Sequence, residues 1–228
     1  NGSGTIVGAR NLESDHTLTV YSISRDSHDN FIANIAVDSW SFASKSGVVD
    51  GDLSAGTTSA TLTGAVIGTC VIRATEAGLS SVDSETITII VGDAAKVRVE
   101  TLANGSGTIV GAQNLKSDYT LTVYSISRDA HDNFIANIAA DSWSFASKTG
   151  VVDGDLSAGT TSATLTGAII GTCVIRATEA GLDSVDSETI TIIAGDAAKV
   201  RVETLANGSG AIVGAQNLKS DYTLTVYS

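Results

Sequence analysis

Proline is absent from the 228 residues, aromatic side chains make up 5% of them, charged side chains 17%, and two cysteines occur in all. Each shortage closes something off. A sheet edge without Pro and with little Lys lacks two of the usual guards against edge-to-edge pairing. Thirteen Lys and Arg against 25 Asp and Glu leave a net charge of −12, which argues against nucleic acid and anionic membrane surfaces as partners, since both are drawn to basic patches. Charge falls below the roughly 25% of an average soluble domain. Ser, Thr and Gly fill the surface instead. No stretch shows a 3.6-residue apolar period, so no helix is expected. None reads as a transmembrane run, a signal peptide or a lipidation motif, which excludes little in a chain that looks cut from a longer one.

What is present is repetition. Asn1, Asn104 and Asn207 each open the stretch Asn-Gly-Ser-Gly, a constant step of 103 residues (104 − 1 and 207 − 104). Trp40 recurs as Trp143, Cys70 as Cys173 and His28 as His131; among the few differences are His16/Tyr119 and Ser80/Asp183. A period near 100 residues is long enough for each unit to bury its own core. One Cys per unit excludes a disulfide within a unit, and a buried free thiol is the better reading.

Read on one unit, alternation places Val97 and Val99 on one face of a strand and Lys96, Arg98 and Glu100 on the other. Thr108 to Val110 reads as a short second strand before a polar segment, Asn114 to Asp118. In Tyr119 to Arg128 the apolar set changes sides, Leu121 and Val123 first and Tyr124 and Ile126 after, so either a bulge shifts the register or both faces are covered. Trp143, Phe145, Cys173, Ile175, Ala177, Ile190 and Ile192 are core candidates. Gly150 to Gly159 reads as a loop or irregular edge carrying the Asp153-Gly-Asp155 turn, and Gly181 to Asp186 as a turn. Seven or so short strands with regular turns predict an all-β fold of tandem Greek-key, immunoglobulin-like β-sandwich domains. With no second Cys and Gly171 two residues before Cys173, neither the antibody-type disulfide nor a tyrosine corner is available.

The stretches Tyr119-Thr-Leu-Thr-Val-Tyr-Ser-Ile-Ser-Arg-Asp-Ala-His-Asp-Asn-Phe-Ile-Ala-Asn-Ile and Ser162-Ala-Thr-Leu-Thr-Gly-Ala-Ile-Ile-Gly-Thr-Cys-Val-Ile-Arg-Ala-Thr resemble bacterial immunoglobulin-like repeats of the invasin and intimin type, and the near-identical units of very large bacterial surface proteins. The resemblance spans the chain and implies stalks, adhesins and filaments. It departs where Phe134 directly follows Asn133, a turn that carries Pro in such families.

The expected domains are 1–93, lacking its first strand; 94–196, complete; and 197–228, the opening strands of a third. This framing suggests a window on a longer repetitive polymer, with strand donation from residue 197 onward into a neighbouring chain as the alternative.

No nucleophile elbow or convergent base is visible, so no enzyme and no catalytic, cofactor-binding or metal residue is assigned. Two readings stand for the acidic turns. Asp93, Asp129, Asp132, Glu179 and Asp183 would gather at one pole, and calcium could join carboxylates there. Against it, no Asp-x-Asp-x-Asp-Gly loop is present and Ser80 replaces Asp183, so a solvated acidic turn is preferred. Asn1, Asn104 and Asn207 head sequons whose turn composition needs no glycan to explain it. The expectation is an extracellular or cell-surface structural array that self-associates with copies of the same chain, with Tyr124, Ile126 and outward Thr rows making contacts. The alternative is an adhesion module for carbohydrate or a host protein, for which the few aromatics offer little.

Overall fold

Short runs of alternating apolar and Ser/Thr residues become strands, while Gly, Asp and Asn clusters turn the chain between them. The computed structural model describes residues 3–218, 220 and 222–227, grouped as two units, 1–193 and 194–228. In the first repeat lie β1 (Arg10–Glu13), β2 (Thr17–Tyr21), β3 (Ile23–Arg25), β4 (Phe31–Asn34), β5 (Ser39–Ser46), β6 (Leu53–Ala55), β7 (Ser59–Thr63), β8 (Gly68–Thr75) and β9 (Ile87–Ile90). Then follow β10 (Lys96–Glu100), β11 (Gln113–Lys116), β12 (Thr120–Arg128), β13 (Phe134–Asn137), β14 (Ser142–Thr149), β15 (Leu156–Ala158), β16 (Ser162–Thr166), β17 (Gly171–Thr178), β18 (Asp183–Val185) and β19 (Ile190–Ile193).

In the second sandwich one sheet runs β11-β19-β17-β14 and the other β15-β16-β12-β10-β18, with β13 also paired to β12. Strands β10, β12, β16 and β15 thus take the A, B, E and D places, and β14, β17 and β19 the C, F and G places, of a constant-type immunoglobulin sandwich. The interior holds Val97, Val99, Val123, Leu165, Cys173, Ile175, Ala177, Ile190 and Ile192, with Trp143 and Phe145 packed against them. Those are the residues that alternation assigns to the core. Both cysteines are buried and free, and burial, with Asp155 nearby, pushes the Cys173 thiol up to about 11.

Several local expectations change. The second strand is not 108–110, where Ile109 makes a single bridge to Glu100, but the polar β11, held parallel to β19 with Leu115 against the core. One inward Leu suffices there. Gly150 to Gly159 carries a 3-10 turn at Asp153–Asp155 followed by the short edge strand β15, in keeping with an irregular edge, whereas Gly181 to Asp186, read as a turn, contains β18, parallel to β10. In β12 the change of side is met by cover rather than by a slip against β10. Its first half pairs β16, its second half lies between β10 and β13, and residues 125–128 are all buried. Ile126 is therefore fully buried and Tyr124 half-buried, so Ile126 is no contact surface for other chains.

One further placement departs from the pattern. Glu100, on the nominally polar face of its strand, is completely buried. Gly105 has φ +80, and a Cβ there would stand 2.3 Å from the Phe134 ring, so only Gly closes that turn.

The first sandwich repeats this plan with β1-β9-β8-β5 as one sheet, but its second sheet is divided into β2-β7-β6 and β3-β4, with the break at Ser22. In the unit 194–228, Glu203 bridges Ile212 and Tyr227, and the Glu203 and Tyr227 amides donate to each other's carbonyls at 2.9 Å.

Candidate functional site

The turn Asp129-Ala-His-Asp-Asn133 follows β12 directly, and the position of β12 in its sheet delivers that turn to the pole where the first sandwich ends. Asp132 there has φ 68, a left-handed conformation that Asp tolerates, and the turn closes as the Asp129 amide donates to the Asn133 carbonyl and the Asp132 amide to the Asp129 carbonyl. The result is a set of polar side chains aimed out of the second sandwich into the first.

Asp129 is the hub and is 0% exposed. One carboxylate oxygen accepts from the His131 and Asn133 amides, each at 2.9 Å, which shapes the turn. The other accepts from the Asn133 side-chain amide at 2.8 Å, the Ser14 hydroxyl at 2.5 Å and the Gly92 amide at 3.3 Å. Ser14 and Gly92 belong to the first sandwich. Burial alone would raise this carboxyl, but the bonds from Ser14, Asn133 and Gly92 outweigh it and hold it below the ordinary carboxylate range.

Around that hub Asn133 donates to the Ala65 carbonyl at 2.8 Å and accepts from the Ile67 amide at 3.5 Å, while His131 Nδ1 meets Asp15 Oδ1 at 3.0 Å. The junction is therefore a face of one sandwich (Ser14, Asp15, Ala65, Ile67, Gly92) taking the turn of the next (Asp129, His131, Asn133). Both halves recur in sequence: the turn as Asp26, His28 and Asn30, the face as Ser117, Asp118, Ala168, Ile170 and Gly195. In the first sandwich Asp26, His28 and Asn30 are exposed, and Asp26 binds its own turn through the His28 and Asn30 amides.

Beside the junction lies a buried ion cluster. Arg128 forks onto Glu100 with bonds of 2.5 and 2.8 Å, and also donates to the Asp132 and Gly105 carbonyls. Arg98 stands 3.2 Å from both Glu100 and Asp132. Lys96 donates to Asp132 at 2.8 Å, the leading reason that this carboxyl is held low.

The acidic residues considered for calcium are thus dispersed among other partners. Asp129 is spent on the junction and Asp132 on Lys96 and Arg98, while Asp183 is exposed at the start of β18. Asp93 is exposed and Glu179 half-buried, and among the described residues no three His, Cys, Asp or Glu side chains are placed to hold a metal ion. The preferred solvated-turn reading fails at Asp129, which is sealed between sandwiches. Asn104 and Asn207 are exposed, their side chains accepting from the Ser106 and Ser209 hydroxyls at 2.7 and 2.6 Å; Asn1 lies outside the described residues. Sequence reasoning missed Ser14, Gly92 and Ala65 altogether. Their signal was only that they repeat.

No protein family and no curated protein matches the chain by sequence. Among solved structures, the D00-D0 domains of intimin match with a TM-score of 0.40 at 17% identity, over 85% of this chain and 98% of that one. Domains 4 and 5 of the S-layer protein SbsC match with a TM-score of 0.28 at 11% identity, over 75% and 80%. The folds are immunoglobulin-like. For this chain that statement stands on its own strand order, and the immunoglobulin-like sandwiches are joined by a junction whose two halves face opposite ways along the chain.

Proposed function

We propose that the chain is a structural segment of an extracellular or cell-surface array, a filament, sheath or adhesin stalk, built of immunoglobulin-like domains bounded at 1–93, 94–196 and 197–228, the first two of them locked end to end. The observation that carries this reading is the buried Asp129 hub, which bonds Ser14 and Gly92 of the preceding sandwich while copies of both junction halves stand elsewhere in the chain. A contact between two different patches, repeated at a fixed step, is heterologous and has no built-in end point. Its partners are copies of the same domain rather than nucleic acid, given the net charge of −12. No helix among the described residues is long and apolar enough to cross a membrane.

The test is the length of chains with two, four and six repeats, measured by electron microscopy and small-angle scattering. Straight rods that lengthen by a constant step per repeat are expected, and Asp129→Ala with its equivalents should bend them. Flexible strings of beads, unaltered by Asp129→Ala, would refute the locked junction.

A further inference from the structure

Asn104 and Asn207 are each followed by Gly, as is Asn1, whereas every other Asn in the sequence is followed by Leu, Phe or Ile. The difference is chemical. The side-chain amide carbon of an asparagine is an electrophile, and the backbone nitrogen of the next residue closes a five-membered ring when it bonds to that carbon. A side chain on the next residue crowds the approach, and Gly leaves it open.

The turn adds to this in two ways. Asn104 is exposed, and its Oδ1 accepts twice from Ser106, from the amide at 3.1 Å and from the hydroxyl at 2.7 Å. Exposed Asn207 repeats the arrangement with Ser209, at 3.1 and 2.6 Å. Two donors on one carbonyl oxygen draw charge away from Cγ and stand ready for the oxyanion that forms when a nucleophile adds there. Among the described residues, moreover, no acceptor is placed for the amide of Gly105 or of Gly208. The attacking nitrogen is uncommitted. Asn133 is the contrast: its side-chain nitrogen is held by the Ala65 carbonyl and Asp129, and Phe134 follows it.

We propose that Asn104 and Asn207 are sites of spontaneous deamidation, each Asn-Gly-Ser turn supplying both the nucleophile and the oxyanion donors. Solvent base takes the proton of the Gly105 nitrogen, which bonds to Asn104 Cγ; the Cγ–Nδ2 bond then breaks, and the amide leaves as ammonia with a proton returned by solvent. The cyclic imide that remains takes up a water molecule. Opening at the former side-chain carbonyl yields an aspartate in the ordinary main chain. Opening at the main-chain carbonyl yields an isoaspartate, in which the chain runs through the side-chain carbon.

Either product adds a negative charge at a step of 103 residues, 207 − 104. The isoaspartate does more, because it inserts a methylene just ahead of Gly105. That glycine lies so close to Phe134 that a Cβ would stand 2.3 Å from the ring, and its carbonyl accepts from Arg128 at 3.0 Å. Lengthening the chain there unseats the turn from Phe134 and from the Glu100–Arg128 pair. The turn is thus a site at which an unrenewed chain records its age.

The experiment keeps the full chain folded in neutral buffer for increasing times and maps its peptides by mass spectrometry. Peptides holding Asn104 and Asn207 should gain the mass of an amide-to-acid exchange, as aspartate and isoaspartate, while those holding Asn133 and the exposed Asn114 stay unchanged. The rate should rise in mildly alkaline buffer, since the nitrogen must lose its proton. Ser106→Ala, at an exposed position, should slow conversion at Asn104 at least threefold while Asn207 keeps its rate as an internal reference, and Ser106→Thr should restore it. Amides at 104 and 207 that last as long as those at 114 and 133 would overturn the proposal, and so would a Ser106→Ala chain that converts at the original rate.

Discussion

Glu100 and Asp129 are both sealed from water, and they answer to different physics. Glu100 is offset by two guanidinium groups inside one sandwich. Removing the carboxylate leaves Arg128 and Arg98 in a low-dielectric site without it, so Glu100→Ala should cost about 3–5 kcal/mol, the usual penalty for breaking a buried pair. Glu100→Gln, which keeps an acceptor, should cost less; urea unfolding monitored by Trp fluorescence reads both. Asp129 answers to pH. Its carboxyl is held low in the folded protein, so over the carboxylate range the unfolded chain binds more protons. The stabilisation is whole above the unfolded value near 3.9 and is lost as pH falls through the lower folded value. Junction melting followed by scattering should therefore begin below about pH 4, and Asp129→Asn should melt at all pH values with a flatter profile. Neither role was legible from the sequence. Alternation puts Glu100 on a polar face, and the Ser14 partner of Asp129 lies 115 residues away, where no local pattern reaches.

At the scale of elements, the long alternating strands were legible and the three-residue ones were not. Cys173, Ile175 and Ala177 announce their side of β17 by period two, and the structure buries all three. Strands β15 and β18 offer three residues each and owe their existence to the neighbour they pair with. Amide exchange gives the check. Val97→Asp, which expels β10, should lower protection at residues 183–185 and 124–128 by at least tenfold and leave the β14–β17 pair slow, since opening is confined to the sheet that loses a strand. Uniform loss across both sheets would mean that β10 supports the whole fold instead.

For the whole molecule, the parallel pairing of β11 with β19 has a mechanical consequence. One strand lies near the start of the second sandwich and the other at its end, and they are joined over Gln113↔Ile190 to Lys116↔Ile193. Tension applied through the chain on either side drags the two along their own axes in opposite directions. The bridging bonds, among them Gln113 to Thr189 at 3.3 Å and Ser117 to Ile193 at 2.8 Å, then share the load at once instead of parting one by one. The pair β1–β9 repeats the arrangement at Arg10↔Ile87 to Glu13↔Ile90. Stretched between a cantilever and a surface, each sandwich should give way in a single high-force event. Gln113→Pro, which deletes one of those donors at an exposed position, should lower that event for the second sandwich alone. A tether under load would then behave as a row of mechanical fuses, each yielding length before the next is broken.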